Sequence, residues 1–184
     1  GRPALFSSCG DVKGLHIADI GCGEGYCARV LNDSGAAKID GIDISGQMVD
    51  AARHAAAENP RMSFQVANAV KIPFADNKYD IAIGVFVYNY LSIEQTYASF
   101  AEVFRILKPT GRFIFCVPHP AFPFIRKERS KPFYFNFDHG GYFSNRNKVS
   151  EGKIWRLDGV ELPVEMQHKL FSDYIDALNA AGFC

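Results

Sequence analysis

From residue 15 to residue 117 the chain alternates between short apolar runs and stretches in which apolar residues recur every three or four positions. Leu15 to Ile20 is apolar apart from His16 and Asp19 and predicts a buried strand. Three glycines at alternate positions, Gly21, Gly23 and Gly25, break it off, and Glu24 to Asp33 then predicts a helix that turns Val30 and Leu31 inward. Lys38 to Asp43 predicts a second strand. Ser45 is placed to cap an alanine-rich helix over Gly46 to Glu58, which Asn59-Pro60 stops. Met62 to Val66 alternates apolar and polar residues as a third strand does, and Tyr79 to Val87 is so uniformly apolar that both of its faces must be buried. A helix over Ile93 to Leu107 follows, with Ser92 as its cap and residues 97, 100, 103, 104 and 107 on one face. Lys108 to Gly111 turns the chain into a last apolar run, Arg112 to Val117. Residues 1 to 14 carry Pro3, Gly10 and Gly14 without a period and read as a loop or a frayed remnant.

Strands and helices in alternation build right-handed βαβ units, so the expected fold is α/β: a mostly parallel, twisted sheet with helices on both faces. With 184 residues, no internal repeat and no linker, residues 1–184 read as a single domain. The pattern changes after Val117. Residues 118–165 form an aromatic-rich insertion with Pro118, Pro120, Pro123 and Pro132, too apolar for a solvated linker and without a helical period. Ile154 to Val164 predicts one or two strands within it. Lys169 to Ala181 closes the chain as an amphipathic helix with Leu170, Tyr174, Leu178 and Ala181 near one face.

Charge and cysteine usage narrow the class of partner. Twenty basic residues balance twenty acidic ones, which argues against a broad basic surface for nucleic acid. No apolar run approaches the ~20 residues that span a bilayer. The start, Gly1 to Phe6, lacks the apolar core of a signal peptide. Cys9, Cys22, Cys27, Cys116 and Cys184 are odd in number and scattered, with no C-x-x-C and no His pair at metal spacing. No metal site is therefore expected, and the thiols read as buried and reduced in a cytoplasmic protein.

The glycine corner points to a ligand. Its glycines let the backbone come close to a bound group, and the helix that follows adds unpaired N–H groups. A dinucleotide fingerprint reads G-x-G-x-x-G, whereas here the spacing is G-x-G-x-G. Asp19, two positions before the first glycine, would repel a pyrophosphate and suits an ammonium instead. Asp43, ending the second strand, can accept hydrogen bonds from two adjacent ribose hydroxyls, a role shared with dinucleotide-binding folds, or can cap the next helix. Cys22 inside the corner reads as a small side chain that fits there, or as a reactive thiol.

Asp19-Ile-Gly-Cys-Gly-Glu-Gly25 resembles the first motif of the class I S-adenosylmethionine-dependent methyltransferases. Four further segments match that family in order: Ile39 to Met48, Ala67-Asn68-Ala69, Ile72 to Asp80 and Phe104 to Phe113. The last two read as setting the sheet edge and the turn into the final strand. Departures fall at Asn68, where the family's turn often carries Asp, and at Thr110, where it carries Gly. The resemblance implies a Rossmann-like class I methyltransferase fold with strand order 3-2-1-4-5. The family's sixth and seventh strands would follow Gly182-Phe183, and its N-terminal cover is short here. The chain is accordingly expected to lack the last strands and to be a trimmed part of a longer protein. The cofactor implied is S-adenosylmethionine, with S-adenosylhomocysteine as its product. The glycine loop, Asp19, Gly21, Cys22, Gly23 and Gly25, would meet its methionine end. Asp43 would take the ribose, Ile44 and Met48 would flank the adenine, and Phe86 would line the site. Asn68, beside Ala69, would offer its amide oxygen to the adenine amino group in place of the usual carboxylate.

Methyl transfer needs chiefly alignment of the two reactants, and an oxygen or nitrogen acceptor also needs a base. His119, in Val117-Pro-His-Pro-Ala121, is the candidate base; the alternative is that it hydrogen-bonds within its own loop. Tyr88, Asn89 and Tyr90 follow the strand ending at Val87, and Tyr90 is the candidate to orient an acceptor. His139 and His168 are further candidates, while His16 and His54 read as packing or surface residues. Aromatic rings in the insertion suit a flat or apolar acceptor, or form a small core of their own. No Asn-Pro-Pro-Tyr or Asp-Pro-Pro-Tyr follows the strand, which weighs against a nucleobase amine. The expected activity is methyl transfer to an O, N or C atom of a small molecule. The rivals are a nicotinamide-dependent oxidoreductase and a non-catalytic methyltransferase-like scaffold.

Overall fold

Five strands, β1 (His16–Ile20), β2 (Lys38–Asp43), β3 (Met62–Val66), β4 (Tyr79–Val85) and β5 (Leu107–Cys116), pair in parallel in the order β3-β2-β1-β4-β5. The computed structural model describes residues 2–57, 59–125, 133–135, 140–155 and 159–183. Helices α1 (Arg2–Cys9), α2 (Tyr26–Asp33) and α3 (Gly46–Ala55) cover one face of the sheet, and α4 (Ile93–Ile106) and α6 (Phe171–Ala181) the other. Between them α5 (Phe122–Ile125) is a single turn. Successive residues of a strand point to opposite faces. Ile17, Ile39, Ile81 and Ile83 therefore enter the core under α1–α3, while Ala18, Ile20, Ile42 and Ala82 enter the core under α4 and α6. This two-sided burial is why the strands read as nearly unbroken apolar runs.

The N-terminal segment is not a loop. Residues 2–9 form α1, with Leu5 and Cys9, one helical turn apart, buried against the sheet. Gly10 ends it in the left-handed conformation at φ 64°. Arg112 donates to the carbonyls of Ser8 at 3.2 Å and Cys9 at 2.7 Å, a cation set against the negative end of the helix. So short an element shows no pattern by itself; its contacts lie a hundred residues away.

Several boundaries shift for local reasons. Gly25 takes a left-handed φ of 74°, so α2 starts at Tyr26 rather than Glu24. Helix α3 ends at Ala55, with Ala57 at φ 47°. Phe86 has a φ of 58°, which ends β4 at Val85 and throws Phe86 and Val87 into the following loop. Strand β5 begins earlier than expected: Tyr79 pairs with Leu107 and Ile81 with Arg112, so Lys108 to Gly111 loop out of register. The caps at Ser45 and Ser92 are present, the latter as a reciprocal capping box with Gln95.

After β5 the chain builds a second, antiparallel sheet from β6 (Phe133–Phe135), β7 (Val149–Trp155) and β8 (Glu161–Gln167), in the order β6-β7-β8. The one or two strands expected over 154–164 are two, the first starting earlier at Val149 and the second running on to Gln167. The rings of Phe124 and Tyr142 pack at 5.0 and 5.4 Å from the buried imidazole of His168. Among the described residues no helix is long and apolar enough to cross a membrane.

Candidate functional site

A cleft of about 860 Å³ opens at the C-terminal ends of β1, β2 and β4, where open α/β sheets bind ligands. Its floor is the glycine corner. Gly21 at φ 72° leaves no room for a side chain, because a Cβ there would lie 2.7 Å from that of Val87. Gly23 lines the cleft with no heavy atom within 4 Å of where a Cβ would stand, so a bound group can approach its backbone. The Gly21 and Cys22 N–H groups donate to the Ile42 carbonyl at 2.8 and 2.9 Å and lock the corner to β2.

Asp43 completes that lock. Its carboxylate accepts from the Gly23 N–H and from the Ser45 N–H, each at 2.9 Å. The side chain thus organises the entry to α3 and presents a fixed carboxylate to the cleft. Asp19 is only 2% exposed, and its Oδ2 has no hydrogen-bond partner. Burial, reinforced by the nearby Asp43 carboxylate, pushes its carboxyl up to about 7. A buried acceptor without a donor is costly to leave so, and an ammonium at this point would satisfy it. The residues therefore fit the amino-acid end of S-adenosylmethionine.

Cys22 is the small side chain that fits. Its thiol is buried and held protonated by desolvation and by the Asp19 and Asp43 charges, which removes the nucleophile. Ile44 and Met48, 72% and 45% exposed, stand on the rim. Asn68 accepts the Val70 N–H at 3.1 Å through Oδ1, and an amide oxygen has a second lone pair free for another donor. Ala69 and Phe86 also line the cleft.

Two predicted site residues lie elsewhere. Gly25 is absent from the cleft lining: a Cβ there would meet Phe64 and Ala52 at 3.1 and 3.2 Å, so it serves the packing of α2 against α3 and β3. His119 is exposed outside the cleft, accepts the Ala121 N–H at 3.2 Å and packs edge-on against Phe171 at 4.9 Å. It holds its own loop. Tyr90 does line the cleft and is half exposed, whereas Tyr88 is buried among Phe100, Phe113 and Phe115. Asn89 is buried, its carbonyl accepting the Gln167 N–H at 2.9 Å. His168 belongs to the ring cluster, with Nε2 2.8 Å from the Tyr142 carbonyl. His139 lies outside the described residues. Sequence reasoning missed Arg2, Glu24 and Tyr26 on one wall, and Ile154 and Leu162 on the wall that the second sheet supplies. The latter two sit directly opposite each other in the β7–β8 ladder. Among the described residues of the insertion, Phe124 and Tyr142 pack around His168, and the aliphatic Ile154 and Leu162 reach the cleft.

The family model described as a methyltransferase domain matches residues 17–111. The chain belongs to this family. The methyltransferase-domain match spans β1 to the turn before the last residues of β5, the part of the fold that carries the glycine corner and Asp43. A demethylmenaquinone methyltransferase of Symbiobacterium thermophilum is 36% identical over 139 residues, which cover 71% of this chain and 48% of that protein. An uncharacterised protein of Methanocaldococcus jannaschii is 31% identical over 173 residues, or 92% of this chain and 62% of its own length. The chain thus spans about half to three fifths of these relatives' lengths. Among solved structures, an S-adenosylmethionine-dependent methyltransferase from Mesorhizobium loti superposes with a TM-score of 0.74 at 25% identity, over 99% of this chain and 80% of its own.

Proposed function

We propose that the chain is the cofactor-binding and catalytic core of an S-adenosylmethionine-dependent methyltransferase acting on a small molecule at an O, N or C atom. The observation that carries this reading is the buried, unpartnered Asp19 carboxyl at the glycine corner, set in a cleft that also holds the Glu24 and Asp43 carboxylates. Such a lining attracts a ligand bearing ammonium and sulfonium charge and repels the pyrophosphate of a nicotinamide dinucleotide.

When bound, the cofactor supplies a methyl group activated by its sulfonium. The residues of the chain do the rest by binding and orientation. Asp19 takes the ammonium, Asp43 the ribose hydroxyls, Ile44 and Met48 flank the adenine, and Asn68 offers its amide oxygen to the adenine amino group. Tyr90, Leu91, Ile154 and Leu162 form the part of the cleft left for the acceptor. Three of these four are aliphatic, which suits an apolar acceptor of the quinone kind in the name of the relative from Symbiobacterium thermophilum, a demethylmenaquinone methyltransferase. Tyr90 is the group that orients it, in preference to His119. The balanced charge fits a small acceptor rather than nucleic acid, and the buried free thiols of Cys9, Cys22 and Cys27 fit a cytoplasmic protein.

Calorimetric titration with S-adenosylhomocysteine and with NADH tests the cofactor. The first should bind with micromolar affinity and the second should not; the reverse result overturns the reading. Transfer of a labelled methyl group from S-adenosylmethionine to a panel of phenolic and quinol acceptors then tests the activity.

A further inference from the structure

We infer that the ring of Phe86 is the face against which the cofactor's sulfonium rests. This assignment rests on the cofactor reading proposed above, and it starts from a backbone out of place. Phe86 holds a φ of 58°, a region that Gly and Asn enter readily and a bulky side chain does not. The flip breaks the alternation of β4. Ile81, Ile83 and Val85 pack under α1–α3 and Ala82 under α4 and α6, so alternation would send residue 86 to the α4 side and residue 87 to the other. Instead Val87 packs into the core under α4 and α6. It takes the place that alternation gives to Phe86, and the Phe86 ring turns out to the cleft, 39% exposed. Three contacts hold the flip. The Phe86 N–H donates to the Cys116 carbonyl at 2.9 Å, the Val87 carbonyl accepts the Tyr90 N–H at 3.1 Å, and Val87 fills the space that a Cβ on Gly21 would need. Strain over-determined in this way gathers where ligands are held.

The flipped residue stands at the boundary between the two parts of the cleft. Gly84 pairs with Ile20 across β4 and β1, so Phe86 lies level with the glycine corner, where Asp19 is to take the ammonium. Four positions further on, Tyr90 lines the part left for the acceptor. In the cofactor, the sulfonium sulfur is bonded to the arm that carries the ammonium, to the ribose side and to the methyl group that the acceptor must reach. It therefore belongs at this boundary. A sulfonium is wrapped in carbon and has no N–H or O–H to donate, so an aromatic face suits it as one suits a quaternary ammonium. Among the described residues, three aromatic rings line the cleft: Tyr26, Phe86 and Tyr90. Tyr26 already carries the Arg2 guanidinium, 4.6 Å from its centre, and Tyr90 stands with the acceptor residues. Among the described residues, no cation sits on the ring of Phe86.

S-adenosylmethionine and S-adenosylhomocysteine differ by the methyl group and its positive charge, so the ratio of their affinities isolates the sulfonium. Calorimetric titrations of the native chain, Phe86→Leu and Phe86→Tyr would read both ligands. Phe86→Leu keeps an apolar side chain and removes the π face. It should weaken S-adenosylmethionine by about 5- to 30-fold, the range of a desolvated cation–π contact, and leave S-adenosylhomocysteine within about twofold. Phe86→Tyr keeps the ring and should hold both ligands near their native affinities. An equal loss for both ligands in Phe86→Leu, or a loss for neither, overturns the assignment, as does a Phe86→Tyr chain that behaves like Phe86→Leu. A second pair reads the backbone, since both members lack the ring. Phe86→Gly should melt about 2–4 °C above Phe86→Ala, because only glycine relieves the φ. An alanine variant as stable as the glycine variant overturns the strained placement on which the assignment stands. Failure of the native chain to bind either ligand overturns the cofactor reading itself, a result distinct from all of these.

Discussion

Asp19 is a single buried residue set against the stability of the ligand-free chain. Its folded carboxyl titrates at about 7 against an ordinary 3.8. At low pH both folded and unfolded states are protonated; between the two values only the folded state is. Stability is therefore lost as the pH rises from 3.8 to about 7, and above that the folded chain too carries the buried charge, so the full loss persists. The three-unit gap corresponds to about 4 kcal/mol. Asp19→Asn removes the charge but brings an amide that is itself unsatisfied, so the ligand-free variant should gain about 1–2 kcal/mol at pH 8. It should at the same time lose S-adenosylhomocysteine affinity by roughly 10- to 100-fold. In the native chain that affinity should climb between pH 6 and pH 8, as the carboxylate forms to meet the ammonium, and in the variant the climb should be absent. Equal affinity in the two proteins at pH 8 would remove Asp19 from the site. This residue was legible because its meaning is local: an acid two positions before a glycine corner is visible in the sequence, as is Asp43 at a strand end. His119 was not legible in the same way. A histidine after a strand can face the cleft or its own loop, and the choice is made by Phe171, 52 positions further along.

At the scale of elements, the two motif-like segments Ile72–Asp80 and Phe104–Phe113 turn out to be one hydrogen-bonded unit. Arg105, at the end of α4, donates to the carbonyls of Ile72 at 2.9 Å and Phe74 at 2.8 Å. It also pairs with the carboxylates of Glu102 at 2.8 Å and Asp76. Glu102 in turn accepts the Ile72 N–H at 2.8 Å. The segment between β3 and β4 has little regular structure to hold it, and this strut supplies the anchor; Ile72 and Phe74 can then stay buried. Arg105→Met should cost about 2–3 kcal/mol by stranding two carbonyls and two carboxylates, seen as a fall of roughly 5–10 °C in melting temperature. Arg105→Lys should recover less than half, because one ammonium cannot span acceptors that the planar fork reaches together. If both variants melt within a degree of the native protein, the strut has no energetic weight. The elements up to residue 117 were readable since each carries its own period or cap. Helix α1 was not, because eight residues with two buried side chains present no period that exceeds chance.

Across the whole molecule, the second sheet and α6 are tied to the segment that follows β4. The carbonyl of Asn89 accepts the Gln167 N–H at 2.9 Å, that of Tyr88 accepts the Tyr174 hydroxyl at 3.5 Å, and that of Leu91 accepts the Lys169 ammonium. Tyr90 thus projects into the cleft from a segment anchored on both sides of it. Nothing local announces such a join, since Lys169 lies 78 positions from Leu91. The lysine is buried, its ammonium also reaching the Gln167 carbonyl at 3.2 Å and lying 5.6 Å from the centre of the Tyr174 ring. Burial pushes it down from an ordinary 10.5 to about 8, against the pull of the Asp173 carboxylate. Between those two values the unfolded chain carries a proton that the folded chain has released. Stability therefore rises with pH across this window, by at most about 3 kcal/mol. Lys169→Met cannot titrate. Tyrosines and other lysines titrate alike in both proteins and cancel in the comparison, so the native melting temperature should climb relative to the variant's between about pH 8 and pH 10.5. A difference that stays constant across that range would mean that Lys169 titrates as an exposed lysine does and that the join is open to water. A climbing difference would locate a buried cation at the point where the two sheets meet behind Tyr90, and would make the placement of that tyrosine depend on residues from both ends of the fold.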